Sequence, residues 1–517
     1  MLTHFNTYME GADYMMDGLK EQLAFVNGVL TEEDHFRHAI SLINFDMETI
    51  CPREGMSEEA ELLSFLDSKA FALRRDPDFV EAAEALYEGR DELEERDRVL
   101  AESLHREYVR TKNISAEENL RFSRIMNQAY VDWIAAKEKS DFSLFAPSLS
   151  AVRDVEMTRL SRLDTPSKEA YDDLLSLYER GMTVEKLDEI FGAVRERLVP
   201  MLRKIMASPK KIRRDFASRK VDDLSQQKMA EYLLDVIGFD KSRGVLSTTE
   251  HPFTESPAKD DTRVTTHYYP DMVLSNIYSI VHEGGHALFD MNQPRENWEK
   301  HITGEKTMGQ HESVSRFYEN RIGRSEAFIS LIYPKMKEIF PELMHDVSER
   351  ELYEVVNLVE PSLIRTEADE FTYTFHIMIR YEIEKMIVRG EAKIEDLPKI
   401  WNDKYEEYLG VRPERDAEGI LQDVHWTSGF GYFPTYALGN FYNAMYFNRM
   451  AEELDVEALI REGNISAIND WMREHVWKKA DLLSPAEWIK DITGRDLTPD
   501  DFLDYLEAKY SALYELS

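Results

Sequence analysis

Along most of this chain, apolar side chains recur at the three- and four-residue steps of a helix surface rather than in the strict alternation of a strand. Between Asp78 and Lys112 the run is dense in Glu, Arg, Ala and Leu. There Leu93, Leu100, Leu104 and Tyr108 fall at steps of seven and four, which predicts amphipathic helix. The same texture fills most of residues 115–240, with polar, proline-bearing turns expected at Ser140 to Ser148 and Thr165 to Ser167. From Gly244 to Tyr269 it changes: STTEHPFTESPAKDDTRVTTHYY sets β-branched and aromatic residues between Pro and Asp, predicting short strands or a hairpin near residues 245–270. Helical patterning resumes at Val273, with breaks expected near Gly304, Gly390 and residues 427–440. No fixed-period repeat or low-complexity linker appears, so residues 1–517 read as one all-α unit of two lobes with one small β element.

Composition agrees with helices. The 22 Gly and 18 Pro are spread thinly over 517 residues, leaving long stretches without either. With 31% charged and 43% apolar residues the chain has the balance of a folded, soluble protein. Its formal charge of -36 repels nucleic acid and anionic lipid, so neither is an expected partner. The one basic cluster, Lys210, Lys211, Arg213 and Arg214, reads as a solvated helix end. Cys51 is the only cysteine, which excludes an intrachain disulfide or a thiolate metal cluster and suits a reducing compartment. The opening MLTHFNTYMEGADYMMDGLKEQ has no basic then apolar leader, and eighteen apolar residues never run together. A cytoplasmic protein without a membrane anchor is expected.

One segment carries chemistry. In NIYSIVHEGGHALFDM, His282 and His286 stand four positions apart, so on a helix both imidazoles project from one face and reach a single metal ion. Glu283 lies beside the first of them, where a carboxylate can take a proton from an activated water without binding the metal. This is the pattern of a zinc hydrolase. Asn292 occupies the position six residues beyond His286, so the metzincin third histidine is absent. A glutamate from a following helix is the alternative, with Glu296, Glu299, Glu305 and Glu312 as candidates. Glu312 is preferred because a loop containing Gly304 and Gly309 lets HESVSRFYENRI fold back as a new helix; His301 and His311 read as ordinary polar residues. Asp290, one turn beyond His286, is a candidate to fix that histidine's tautomer.

Several further motifs occur in order: His251-Pro252-Phe253; Asp261, Arg263 and Thr265; His311-Glu312-Ser313; Ile364, Arg365, Ala368 and Asp369; then Gly419, Gln422, Asp423, His425 and Trp426, with GYFPTY at Gly431 to Tyr436. Together with the histidine pair they resemble the HPF, DxRxT, HES, IRxxAD and GxxQDxHW elements of the carboxypeptidase Taq family of thermostable metallocarboxypeptidases. Asp46, Thr49 and Pro52 resemble its amino-terminal pattern. The resemblance implies a helical fold similar to neurolysin and angiotensin-converting enzyme, with a deep groove, one zinc ion on its floor (cobalt or manganese can substitute) and homodimers. It implies removal of single residues from peptide carboxyl termini, with peptides as the partners and His282, His286 and Glu312 as the metal ligands.

On that reading Tyr436 or Tyr432, with His425, donates hydrogen bonds to the developing oxyanion, and Arg365, with Arg263 second, receives the substrate's free carboxylate. Taken without the family, the tyrosines read as packing and Arg365 as an ion-pair partner of Glu367 or Asp369. His251 is expected to line the groove or make a turn. Two departures stand out: Val314 where Gln is expected and His267 where Arg is common, both expected to alter the pocket lining. The rival readings are a helical zinc endopeptidase or dipeptidase, and a catalytically silent peptide-binding protein that keeps zinc for structure.

Overall fold

Where the sequence supplies a capping box, a helix begins. Ser115 with Glu118, Thr307 with Gln310, Ser348 with Glu351 and Ser484 with Glu487 each exchange side-chain and backbone hydrogen bonds at a helix start. The structure, a computed structural model, describes residues 2–516, with side chains from Asp17 onward. Its regular structure is helical apart from one three-stranded sheet, in a two-lobed arrangement. Among the described residues no helix is long and apolar enough to cross a membrane.

Two long helices, Leu2–Thr49 and Met56–Arg74, lead the chain. Val26 and Leu30 of the first pack with Phe79, Leu86, Leu100 and Leu104 into a small apolar cluster of their own. The Asp78 to Lys112 stretch forms two helices, Pro77–Glu88 and Glu95–Thr111, because Gly89 and a short 3₁₀ turn divide it. A far larger core runs from Ala129 to Tyr514, and Ile114, Phe122 and Val155 form a third, small cluster.

The β signal resolves into β1 (Gly244–Thr248), β2 (Thr254–Ala258) and β3 (Asp261–Thr266), with β3 in the centre, parallel to β1 and antiparallel to β2. Thr265 locks two motifs together: its Oγ1 lies 2.8 Å from the Phe253 amide nitrogen, and its own amide donates to the Phe253 carbonyl at 2.9 Å. The expected break at residues 427–440 is shorter than the pattern predicts. Helix Phe433–Ala451 starts inside it, with Pro434 in the first turn, where a missing N–H costs nothing. Three of the four residues of the basic cluster are ion-paired: Lys210 meets Glu354, Arg213 meets Asp215, Asp346 and Glu351, and Arg214 meets Glu360.

Candidate active site

Helix Val273–Asn292 presents the two histidines because its opposite face is fixed: Ile277, Ile280, Val281, Leu288 and Phe289 are all buried in the main core. Gly285 explains how the second metal-site helix comes so near. A Cβ there would stand 2.9 Å from the Ser315 Cα, so only glycine lets Met308–Arg316 pack this closely. Gly439 of Phe433–Ala451 does the same on the far side, where a Cβ would meet the Glu312 Cγ at 3.0 Å. Glu312 is thus clamped between two helices.

The result is a three-ligand cluster. The Nε2 atoms of His282 and His286 lie 3.7 and 3.5 Å from Glu312 Oε2. His282, His286 and Glu312 offer ligand atoms that all lie within 4.8 Å of one another. Donors held about 2.0–2.2 Å from a tetrahedral ion are separated by roughly 3.3–3.6 Å, so this donor set fits a metal ion. His282 Nδ1 is 2.9 Å from Glu319 Oε2, which leaves its Nε2 free to ligate.

Glu319 escaped the sequence reading. It lies in a π-helical turn, Phe317–Gly323, that follows Met308–Arg316 directly and re-aims the side chain toward His282. Arg316 was missed too, although it stands one helical turn beyond Glu312. Its Nε donates to Glu312 Oε1 at 2.8 Å, its Nη1 to Glu319 Oε2 at 3.1 Å, and its guanidinium lies 3.9 Å over the Tyr373 ring. Burial alone would raise the Glu312 carboxyl, but His282 and Arg316 outweigh it and hold that group well below the usual carboxylate range.

Glu283 borders the same cavity. The hydroxyl of Thr254 on β2 lies 2.7 Å from its Oε2 and 2.9 Å from its main-chain carbonyl, fixing the carboxylate's orientation. No sequence feature singled out Thr254 beyond its place after Phe253.

Several expectations need correction. Asp290 does not serve His286; its oxygens accept from Ser256 at 3.0 Å and meet His311 Nε2 at 3.3 Å, with Lys306 Nζ 3.6 Å away. His286 Nδ1 is buried without a hydrogen-bond partner, while His311 stacks on the His286 ring at 4.3 Å. His301 pairs with Asp34, Glu296 with Arg96, and Glu305 with Arg106 and Arg180, all apart from the cluster. Val314 is wholly buried and does not reach the groove, whereas His267 does line it.

The groove is a cavity of about 1560 Å³ whose lining includes His251, His282, Glu283, Arg365, His425, Tyr432 and Tyr436. Arg263 is not among these residues. Strand alternation turns it to the other side of β3, where it grips Asp261 with two hydrogen bonds of 3.0 and 2.8 Å and lies over the Phe45 ring. Arg365 is buried at the groove, but its partner is neither Glu367 nor Asp369. Its Nε and Nη2 each lie 3.0 Å from Asp423 Oδ1, while Arg380 takes Oδ2 of the same carboxylate. Two guanidiniums share one carboxylate, which leaves an excess positive charge facing a partly desolvated cavity.

His425 Nε2 meets the Tyr436 hydroxyl at 3.1 Å, and the Arg365 guanidinium lies 4.8 Å over the Tyr436 ring. Burial pushes the His425 imidazole down to about 4, and burial holds the Tyr432 and Tyr436 phenols above their ordinary range. Both phenols therefore keep their protons as donors. The unfolded chain binds a proton at His425 below about 6.5, the folded chain only below about 4. Stability is therefore lost as pH falls through that window. Denaturant titrations of wild type and His425→Gln should show a smaller loss between pH 6.5 and 4 in the variant.

The chain matches the family described as carboxypeptidase Taq (M32) metallopeptidase over residues 26–510. It belongs to this family. It is 37% identical to Carboxypeptidase 1 of Bacillus subtilis over 490 residues, which cover 94% of this chain and 98% of the relative. To Thermostable carboxypeptidase 1 of Thermus thermophilus it is 34% identical, with 92% and 95% covered. Among solved structures, the M32 carboxypeptidase from Deinococcus radiodurans superposes with a TM-score of 0.92 at 30% identity, covering 96% of this chain and all of that one. The cluster of His282, His286 and Glu312 thus stands in a metallopeptidase, and its substrates are peptides.

Proposed function

We propose that the chain, acting as one catalytic unit, removes single amino acids from peptide carboxyl termini with one zinc ion held by His282, His286 and Glu312. Two imidazoles and one carboxylate, with no sulfur, are the donor set of catalytic zinc rather than of structural zinc, which disfavours a silent binding protein. Bound there, the ion supplies Lewis acidity, polarising a carbonyl and easing deprotonation of water near neutral pH. Glu283, aimed by Thr254, accepts a proton from the attacking water and returns it to the leaving amine. When the His425 imidazole donates from Nε2 to the Tyr436 oxygen, the phenol's own proton is free to meet the charge that develops on the substrate carbonyl. Tyr432, 5.2 Å from Tyr436 between ring centroids, is the second donor.

The observation that carries the exopeptidase reading is Arg365, which lines the same groove as the metal ligands while its partner Asp423 is shared with the fully buried Arg380 behind it. A substrate carboxylate supplies the missing negative charge, and the Arg365 fork matches it. We predict that Arg365→Ala lowers kcat/KM on free-carboxylate peptides by about 30-fold or more, from 2 to 5 kcal/mol for a desolvated charge pair. Carboxyl-amidated peptides should be cleaved poorly by both proteins; an equal effect on the two substrates would remove Arg365 from recognition. Cys51 as the sole cysteine supports a cytoplasmic setting, and family membership supports a homodimer.

A further inference from the structure

A second cavity, of about 640 Å³, lies behind the groove wall. Five cationic side chains and four carboxylates line it; of these Arg159 pairs with Glu156, and Lys306 pairs with Asp290 outside the lining. Those charges are unevenly matched. Arg106 and Arg180 both lean on one carboxylate, Glu305. Arg110 makes no ion pair among the described residues; its Nη2 donates only to the Ser176 carbonyl at 2.9 Å and the Ser176 hydroxyl at 3.1 Å. Burial and the neighbouring Arg106 push the Arg110 guanidinium below its ordinary range, a strain that a bound anion relieves. Beside these polar groups the walls are apolar: Ile114, Leu160 and Leu163 line the cavity, and so does Leu177, which is 45% exposed. A few convergent polar groups on an apolar wall, in a space of this size, are the features of a small-molecule site.

We propose that this cavity binds a small organic anion, its oxyanion held by Arg110 with Arg106 and Arg180 and its apolar part against Leu160 and Leu177. Arg110 supplies its Nε and Nη1 donors, Nη2 being taken by Ser176, and the leucines supply an apolar surface beside them, so a charged head and an apolar tail are both required. The site is separate from the groove yet adjoins it. Thr307, which caps the helix bearing Glu312, lines the cavity, and so does Tyr178, whose ring packs edge-on against Tyr432 at 5.0 Å. Met308 lines both cavities. The ligand therefore sits behind the tyrosine wall and does not compete with peptide.

Calorimetric titration of the metal-loaded enzyme with phenylbutyrate tests this, with phenylbutyramide as the uncharged control. Binding should persist in Arg365→Ala, which weakens any carboxylate site in the groove, and fall about ten-fold or more in Arg110→Gln. Arg110→Lys, which keeps the charge but loses the fork, should fall less. If Arg110→Gln does not fold, Arg106→Gln reads the same loss. Binding indifferent to both arginines, binding abolished by Arg365→Ala, or an amide that binds as tightly as the acid would each overturn the assignment. These outcomes are independent of the exopeptidase reading, which is judged on peptide products.

Discussion

Glu283→Gln should retain its metal and lose about two to four orders of magnitude in kcat, the range of general acid–base catalysis. The substitution keeps the side chain's size and one oxygen able to accept from Thr254, so the local geometry survives. What it removes is the basic oxygen: an amide cannot take a proton from water and hand it to a leaving amine. None of the three ligand side chains touches the altered atom in the hydrogen-bond pattern, since Glu312 is held by Ser315 and Arg316 and His282 by Glu319. Metal content by mass spectrometry and turnover of an amino-blocked dipeptide read the two halves separately. Wild-type turnover would remove Glu283 from the chemistry, and loss of metal would make it a structural residue.

The opposite dissociation is expected one helix away. Glu312→Ala should bind metal more than about 100-fold more weakly, since even supporting residues around metal ligands cost 10–100-fold. It should also lower stability. Glu312 is buried, and removing it strips the Arg316 Nε of its acceptor, a loss of about 3–5 kcal/mol for a broken buried pair. Glu319 still holds Arg316 through Nη1, which places the cost at the lower end of that range. Equilibrium metal binding and denaturant unfolding measure both effects. Metal affinity unchanged in Glu312→Ala would mean the ion, if bound, is held elsewhere.

These two variants mark what the sequence disclosed and what it hid. The histidine spacing was legible because i, i+4 on a helix dictates a shared face whatever surrounds it, and Glu312 because Gly304 marks a break before a new helix, which begins at Met308 and so takes in Gly309 as well. Arg316 was legible by the same spacing rule. Glu319 was not, because its aim depends on a π-helical turn that composition does not announce. Asp290 was misassigned for a related reason: a residue four positions from His286 shares its stripe, but His311 and Ser256, from other elements, claim its oxygens first. Arg263 failed through strand parity, which sends neighbouring side chains to opposite faces. Asp423 as the joint of two arginines depends on contacts 43 and 58 residues apart, beyond any local pattern.

Carboxyl-terminal trimming is the central claim, and its products test it most directly. An amino-blocked decapeptide incubated with the zinc-loaded enzyme should yield free amino acids together with a ladder of blocked fragments, each one residue shorter at its carboxyl end. Blocked fragments shortened by two residues, or pairs of internal fragments without single amino acids, would contradict it.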